Sequence, residues 1–352
     1  SFPTRRSSDL LYLHRSVSGK IPPDVKCMGK IRQLCIKRSK MMNSNLISGV
    51  LPATESRFTE RQINRYKTYG EATMIRVSCL SGAFIGVKTT AKNIDIELEI
   101  KGRARNYLGL DVEVDGIVMK SLRMNLLPEM KKVTLHLVEF HDEKERQIKV
   151  YLPVSVEVDS ISFSADGEPL KKPEQRLLFF GDSITQGMDA VSPVCTYPVV
   201  CAKILNMDYI NQGVGGYVFD AGSLDEDFPI EPDIITVAYG VNDWNKDKSA
   251  WEINQAAATY LEKLKSIFKK AHIFVITPIW TDRENQKKAS GTLQDLRKNI
   301  EQVAKKTGCY VINGLTLVPN NSFYFVDGIH PNETGHLMYG TNLACIIQGQ
   351  LK

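Results

Sequence analysis

The hydrophobic pattern of the chain changes between residues 165 and 176. Before this point apolar and polar side chains alternate, most regularly in the stretch NIDIELEIK at residues 93–101. Alternation with a period of two is typical of strands that bury one face and expose the other. After this point the apolar runs are continuous, which is typical of strands that are buried on both faces. The chain is therefore predicted to contain two different kinds of β-sheet.

The alternating part of the chain predicts an antiparallel β-sandwich. Several short segments with half-polar faces follow one another, and turn residues such as Asp115 and Gly116 separate them. Many short strands at close spacing are typical of such sandwiches. We predict the sandwich domain at residues 70–165 and a linker at residues 166–175, which are polar and contain two prolines.

The continuous apolar runs predict an α/β domain at residues 176–352. Buried strands that are separated by helices form a parallel sheet with helices on both faces. We predict strands at residues 177–180, 208–211, 233–239, 272–278 and 309–313, and helices at about residues 196–206, 250–270, 290–306 and 332–349.

The beginning of the chain differs from the rest in charge. Residues 1–68 carry 14 basic and 4 acidic side chains, whereas the remainder carries 31 and 36, so the body of the protein gives no sign of a nucleic-acid surface. The first ten residues resemble the translation of a sequencing adapter, and we predict a non-native or disordered leader at residues 1–40. Residues 41–69 are predicted to be an N-terminal extension. The basic side chains of residues 5–67 are expected to form a solvated tail, and a targeting or nucleic-acid-binding arm is the alternative.

Neither a metal site nor a membrane span is indicated. The seven cysteines include no Cys-x-x-Cys pair, and buried thiols in a reducing compartment are the expectation. No run of about 18 apolar residues is present. No apolar signal-peptide segment lies near residue 1 or after Met41, which favours a cytoplasmic location, while export stays open. We expect no metal and no organic cofactor, and the oligomeric state stays open.

Reactive residue types stand at the predicted carboxyl ends of the parallel strands. Ser183 follows the first strand, NQGVGGY (211–217) follows the second and GVNDW (240–244) follows the third. The stretch DGIHP (327–331) precedes the last helix. Ligands of open α/β sheets bind at this edge. A serine, glycine amides, an asparagine and an Asp/His pair are the components of nucleophilic acyl transfer.

These four blocks, in this order, resemble the SGNH (GDSL-type) hydrolase family over about residues 176–350. The resemblance implies a flavodoxin-like parallel sheet. It also makes Ser183 the expected nucleophile, His330 the general base and Asp327 the residue that orients the base. The antiparallel part resembles, more loosely, the N-terminal modules of carbohydrate-acting members of this family.

The resemblance further implies an oxyanion hole. Its donors would be the backbone N–H groups of Ser183 and Gly216 and the side-chain amide of Asn242. Gly213 and Gly215 are alternatives to Gly216, which we favour.

Other polar and aromatic residues near these blocks have less specific roles. Asp182 is expected to make structural hydrogen bonds at the edge of the pocket. Trp244 and Trp280 are candidate walls of an acyl or sugar pocket, and core packing explains them equally well. His336 is expected to be exposed on the final helix, which Asn332 would cap.

The sequence therefore predicts a serine esterase that hydrolyses small acyl esters, above all acetyl groups on carbohydrates, through an acyl-serine. The expected partner is a small-molecule ester or an acylated glycan. One alternative is a lysophospholipase or thioesterase, against which a mostly polar pocket would count. Another is a glycan-binding protein with an inert hydrolase domain, which a large distance between Ser183 and His330 would favour.

Overall fold

The computed structural model of the protein describes residues 44–351, so the predictions for residues 1–40 fall outside it. The strands are β1 (Ile47–Ser48), β2 (Phe84–Thr89), β3 (Asn93–Arg103), β4 (Tyr107–Val114), β5 (Ile117–Asn125), β6 (Lys132–Glu139), β7 (Arg146–Tyr151), β8 (Val156–Phe163), β9 (Glu168–Pro169), β10 (Arg176–Gly181), β11 (Asp208–Gly213), β12 (Ile234–Ala238), β13 (His272–Ile276) and β14 (Tyr310–Ile312).

The α-helices are α1 (Glu60–Lys67), α2 (Glu71–Ser78), α3 (Ser183–Gln186), α4 (Tyr197–Leu205), α5 (Val241–Asn245), α6 (Ala250–Ile267), α7 (Leu293–Lys306) and α8 (Glu333–Gln350). Short 3₁₀ turns occupy Ser44–Leu46, Pro193–Cys195, Ala221–Ser223, Gly314–Thr316 and Ser322–Tyr324.

Two antiparallel sheets precede the parallel one, as the alternation predicts. One has the strand order β1-β2-β7-β4-β5, with β9 paired to β2, and the other has the order β6-β3-β8. The alternation in β3 buries its isoleucines and leucine in a core that both sheets share. At the start of the range predicted for the sandwich, residues 71–78 form helix α2, because Glu, Ala, Met and Arg in EATMIRVS favour a helix. The bounds of the two domains stay a prediction.

The parallel sheet has the strand order β11-β10-β12-β13-β14. Counted within this part of the chain the order is 2-1-3-4-5, which is flavodoxin-like and confirms the predicted fold class. The predicted strands and long helices differ from the observed ones by at most three residues at either end. In this order the first strand lies between the second and the third, so the loops that follow β10, β11 and β12 meet at one edge.

The N-terminal extension belongs to the core of the α/β part. Phe58 and Tyr66 are buried in the same cluster as Val77 of α2 and apolar side chains of β10, β12 and α6. The expectation of a solvated basic tail is wrong for Arg57. Arg57 is buried, and Arg65 Nε lies 2.7 Å from Asp220 Oδ2. Within residues 44–351 no helix is both long and apolar enough to span a membrane.

Candidate active site

A tight connection between β10 and α3 presents Ser183 at the edge of the parallel sheet. Asp182 is the N-cap of α3 and accepts a hydrogen bond from the N–H of Ile184 at 3.0 Å. Ser183 is the first residue of this helix, where backbone N–H groups have no acceptor within the helix. A side chain on Gly181 would collide with Thr185, since a Cβ atom there would lie 1.9 Å from Thr185 Oγ1. The turn therefore needs a glycine at position 181, two residues before the serine.

Ser183, His330 and Asp327 form a continuous hydrogen-bonded chain. Ser183 Oγ lies 2.8 Å from His330 Nε2, and His330 Nδ1 lies 2.8 Å from Asp327 Oδ2. With the Nδ1 proton directed at the carboxylate, Nε2 is left as an acceptor for the serine hydroxyl. Partial burial raises the pKa of Asp327, but hydrogen bonds from the backbone N–H and ring of His330 outweigh this effect and hold it below the usual range.

A second carboxylate, which sequence reasoning missed, lies beside the same ring. Asp189 Oδ2 is 3.4 Å from His330 Nδ1. Arg105, from the connection between β3 and β4, holds Asp189 through Nε at 2.7 Å and Nη2 at 2.8 Å. Asp189 has φ of 70°, a left-handed conformation that aspartate and asparagine tolerate better than most residues. The antiparallel region thus contributes an arginine that fixes a carboxylate next to the histidine.

The backbone amides of the loop after β11 differ in what they already bind. The N–H of Gly213 donates to Asn211 Oδ1 at 2.8 Å, and that of Gly215 donates to Gln186 Oε1 at 2.8 Å. The N–H of Gly216 has no acceptor among residues 44–351. Gly216 has φ of 78°, which a glycine adopts without strain. Of the three candidate glycines, Gly216 is the one with an N–H group free to donate.

Asn242 lies at the same edge, in the short helix that follows β12. Its Nδ2 donates to the carbonyl oxygen of Tyr217 at 3.0 Å and to Asp182 Oδ2 at 3.3 Å. Burial raises the pKa of Asp182 to about 6, so this carboxyl takes up a proton in mildly acidic solution. The bond to Asp182 is the longer and weaker of the two.

The sequence around this site was compared with models of known protein families. Residues 179–338 match the model of the GDSL-like lipase/acylhydrolase family. The chain contains a GDSL-like lipase/acylhydrolase domain. The predicted resemblance to this family is thereby confirmed over residues 179–338. No curated protein matches the chain in sequence.

Solved structures resemble the hydrolase domain together with the antiparallel part. The salicylyl-acyltransferase SsfX3 of a tetracycline biosynthetic pathway has a TM-score of 0.71 at 14% identity, over 86% of this chain and 94% of its own. The acetyl xylan esterase Est2A of the rumen bacterium Butyrivibrio proteoclasticus has 0.59 at 18%, over 88% and 97%. A family two carbohydrate esterase of Clostridium thermocellum has 0.58 at 16%, over 77% and 93%. At these identities the likeness shows the fold alone.

A cleft of about 190 Å³ opens above the serine of the hydrolase domain. Its lining mixes charged and polar side chains with apolar ones and consists of Arg76, Arg105, Asp182, Ser183, Ile184, Met188, Gly215, Gly216, Val241, Asn242, Asn245, Ile329 and His330. The two tryptophans considered as pocket walls are not part of this lining. Trp244 is fully buried and its indole N–H donates to the Gly291 carbonyl at 2.9 Å, while Trp280 packs on Phe325 with ring centroids 5.1 Å apart.

Helix α8 begins within one residue of its predicted start, but the face that it buries is not the one that was predicted. Asn332 caps α8 by accepting from the N–H of Gly335 at 3.0 Å. The prediction that His336 is exposed is wrong, because its ring is buried and stacks on Tyr197. The backbone N–H of Tyr197 donates to His336 Nδ1 at 3.3 Å. Burial lowers the pKa of His336 to about 3, so it stays neutral at physiological pH.

Within residues 44–351 one group of side chains has the spacing of a metal site. Ligand atoms of Asp189, Asp327 and His330 all lie within 4.8 Å of one another. Each of these atoms already has a partner, since Arg105 holds Asp189 and Asp327 is bound to His330. The arrangement is therefore accounted for by orientation of the histidine ring.

Proposed function

We propose that the protein is a serine esterase that removes small acyl groups, above all acetyl, from carbohydrates through an acyl-serine intermediate. The observation that supports this most is the 2.8 Å contact between Ser183 Oγ and His330 Nε2, continued at 2.8 Å to Asp327. A serine hydroxyl becomes a nucleophile when a neutral imidazole takes its proton. The short distance also argues against the inert, glycan-binding alternative.

In the first step Ser183 Oγ attacks the ester carbonyl carbon while its proton passes to His330 Nε2. Negative charge develops on the carbonyl oxygen, which would accept hydrogen bonds from the N–H groups of Ser183 and Gly216 and from the amide of Asn242. Collapse of this intermediate breaks the bond to the alcohol, and His330 gives its proton to the departing oxygen. Water then attacks the acyl-serine by the same route in reverse, releasing the acid.

The cleft supports a short acyl group. Its volume of about 190 Å³ is small, whereas pockets for long acyl chains need extended apolar surface. This counts against a lysophospholipase or long-chain thioesterase. The carbohydrate part of the proposal is supported by the shared fold with an acetyl xylan esterase and a family two carbohydrate esterase.

An acyl-chain series tests this proposal directly. We expect kcat/KM for 4-nitrophenyl esters to be highest with acetate and to fall by about 10-fold or more at octanoate, because a misfit of a few methylenes costs this much. Acetate release from acetylated xylan, compared with release from glycerol triacetate, tests the sugar preference. A kcat/KM that rises with chain length would favour the lipid alternative, and no turnover of any ester would favour the inert one.

The two carboxylates beside His330 predict an unusual mutational result. Asp327 is 46% exposed, whereas Asp189 is 11% exposed and held by Arg105. Asp327→Asn is therefore expected to cost well under the about 10⁴-fold in kcat that loss of a single orienting carboxylate costs, because Asp189 keeps a carboxylate near Nδ1. The double variant Asp327→Asn/Asp189→Asn is expected to reach that full loss.

Steady-state kcat of the parent, both single variants and the double variant measures this coupling. Asparagine also tolerates the left-handed backbone at position 189, so Asp189→Asn alone is expected to fold normally. A full loss in Asp327→Asn, with no further loss in the double variant, would show that Asp189 has no part in orienting the ring.

A further inference from the structure

Arg76 reaches the active-site cleft from outside the matched hydrolase domain. It lies in α2, and its side chain runs along the loop after β11 that carries the candidate oxyanion glycine. Arg76 Nη1 donates to the carbonyl oxygen of Gly215 at 3.3 Å. A Cβ atom placed on Gly216 would lie 3.5 Å from the same nitrogen. The guanidinium thus borders the space in which an ester bound at Ser183 would lie.

The charge of Arg76 lacks an acidic partner within the described residues. No Asp or Glu of residues 44–351 forms an ion pair with it, and the charged group that acts on it most is the guanidinium of Arg105. Its Nε is buried without a hydrogen-bond acceptor, and the long bond to Gly215 uses a single one of its five N–H groups. Half-burial and the repulsion by Arg105 lower the pKa of Arg76. A cation in this position is costly unless an anion joins it.

The other charged groups that line the cleft have their partners. Arg105 is bound to Asp189 through two hydrogen bonds. Asp182 accepts from the N–H of Ile184 and from the amide of Asn242. Among the described side chains that line the cleft, Arg76 is therefore the charged group that remains free to bind a ligand.

We propose that Arg76 binds a carboxylate of the substrate, so that the preferred substrates are esters that carry a negative charge close to the scissile bond. A planar guanidinium with several free N–H groups matches the two oxygens of a carboxylate. Such a carboxylate belongs either to an acidic sugar that bears the acyl group or to a dicarboxylic acyl group. This inference rests on the proposed esterase function of the same cleft.

Matched pairs of acidic and neutral esters test it and distinguish the two sources. For the alcohol side the pair is 3-acetoxybenzoate and 3-acetoxybenzamide, and for the acyl side it is mono-4-nitrophenyl succinate and its succinamate analogue. The parent enzyme is expected to favour the acidic member of one pair by about tenfold or more in kcat/KM, since hydrogen bonds to charged groups are worth this much. In Arg76→Gln the acidic-to-neutral ratio is expected to fall to about one, mainly through KM.

Arg61→Gln is the matched control, because Arg61 lies on α1 with its side chain 51% exposed and outside the cleft. It is expected to keep the parent ratio. A parent enzyme with no acidic preference in either pair would overturn the inference. An equal loss for both members in Arg76→Gln would also overturn it and would indicate that Arg76 acts on the oxyanion instead.

A binding measurement separates failure of this inference from failure of the proposed function. If the parent hydrolyses neutral esters but shows no acidic preference, the inference fails and the esterase stands. If no ester is hydrolysed, the proposed esterase function fails. Calorimetric titration with succinate and succinamide then shows whether Arg76 binds a carboxylate. Binding of succinate alone, lost in Arg76→Gln and kept in Arg61→Gln, supports the anion site, whereas its absence overturns it.

Discussion

Replacing Ser183 with alanine is expected to lower kcat for 4-nitrophenyl acetate by about 10³-fold or more. The substitution removes the oxygen that lies 2.8 Å from His330 Nε2, so no acyl-enzyme can form. The free energy of unfolding is expected to change by less than about 1 kcal/mol, because Ser183 Oγ is partly exposed to the cleft and makes no contact that the fold requires. Activity and stability are thus expected to separate in this variant.

A second serine provides the matched control. Ser249 is the N-cap of α6 and forms a capping box with Glu252. Ser249→Ala is expected to cost about 1 kcal/mol of stability while kcat stays near the parent value. Measured side by side, the two variants should show opposite patterns in urea unfolding and in ester turnover.

Covalent labelling supplies an independent readout. A fluorophosphonate is expected to add once to the parent protein, on the peptide that contains Ser183, and not to Ser183→Ala. Turnover that persists in Ser183→Ala would contradict the acyl-serine mechanism. Equal inactivity of parent and variant, without labelling, would favour a glycan-binding protein with an inert hydrolase domain.

Local patterns in the sequence predicted most of the scaffold because they report burial directly. A strand such as β10 is buried on both faces, so its residues are apolar without interruption and its bounds can be predicted closely. The candidate catalytic residues were predictable because each occupies a strand end or loop in a recognisable block. The geometry of Ser183, His330 and Asp327 agrees with the roles predicted for them, and the roles themselves await the experiments above.

Residues that enter the cleft from other parts of the fold gave no comparable signal. Arg76 and Arg105 are ordinary charged residues in sequence, and their proximity to Ser183 arises from packing of the region before β10 against the parallel sheet. A positive φ at Asp189 is invisible without coordinates. The lack of an acidic partner for Arg76 is likewise a property of the folded chain and leaves no mark in the sequence.

Burial of polar and aromatic side chains on helices was also hard to predict. Helix α8 has apolar and small residues on all sides, so no single apolar stripe marks the face that carries His336. Leu337, the next residue, is 42% exposed. Trp244 follows Asn242 by two residues in α5 and therefore points away from the cleft into the core.

Replacing Arg57 with methionine is expected to lower the free energy of unfolding by about 3 to 5 kcal/mol. Arg57 Nε donates to the carbonyl oxygen of Cys79 at 2.7 Å, and Nη2 donates to that of Arg76 at 3.1 Å. Nη1 donates to the carbonyl oxygens of Asn211 and, at 3.1 Å, of Gly213. Methionine fills a similar volume but leaves these acceptors without their donor in a site closed to water.

Two opposing effects decide the size of this loss. Burial without a carboxylate lowers the pKa of Arg57 to about 10, so the guanidinium remains charged at neutral pH at some cost in desolvation. Its removal recovers that cost, but each buried carbonyl that loses a partner costs about 1 to 3 kcal/mol. Because several carbonyl acceptors lose their donor, we expect the cost of the lost hydrogen bonds to exceed the recovered cost of desolvation. Lysine is not expected to rescue the fold, because a single ammonium cannot reach acceptors on both residues 76–79 and residues 211–213.

The same variant is expected to lower esterase activity below its unfolding temperature. Arg57 binds the end of β11, from which the loop to Gly216 leaves, and also the backbone of Arg76, so its loss loosens both walls of the cleft. Arg61→Met, on an exposed arginine nearby, is the matched control and is expected to change stability by less than about 1 kcal/mol. Urea unfolding and kcat/KM of the three proteins measure both effects. An Arg57→Met protein as stable as the parent would show that desolvation outweighs the hydrogen bonds and that the apolar contacts of Phe58 and Tyr66 hold the extension in place.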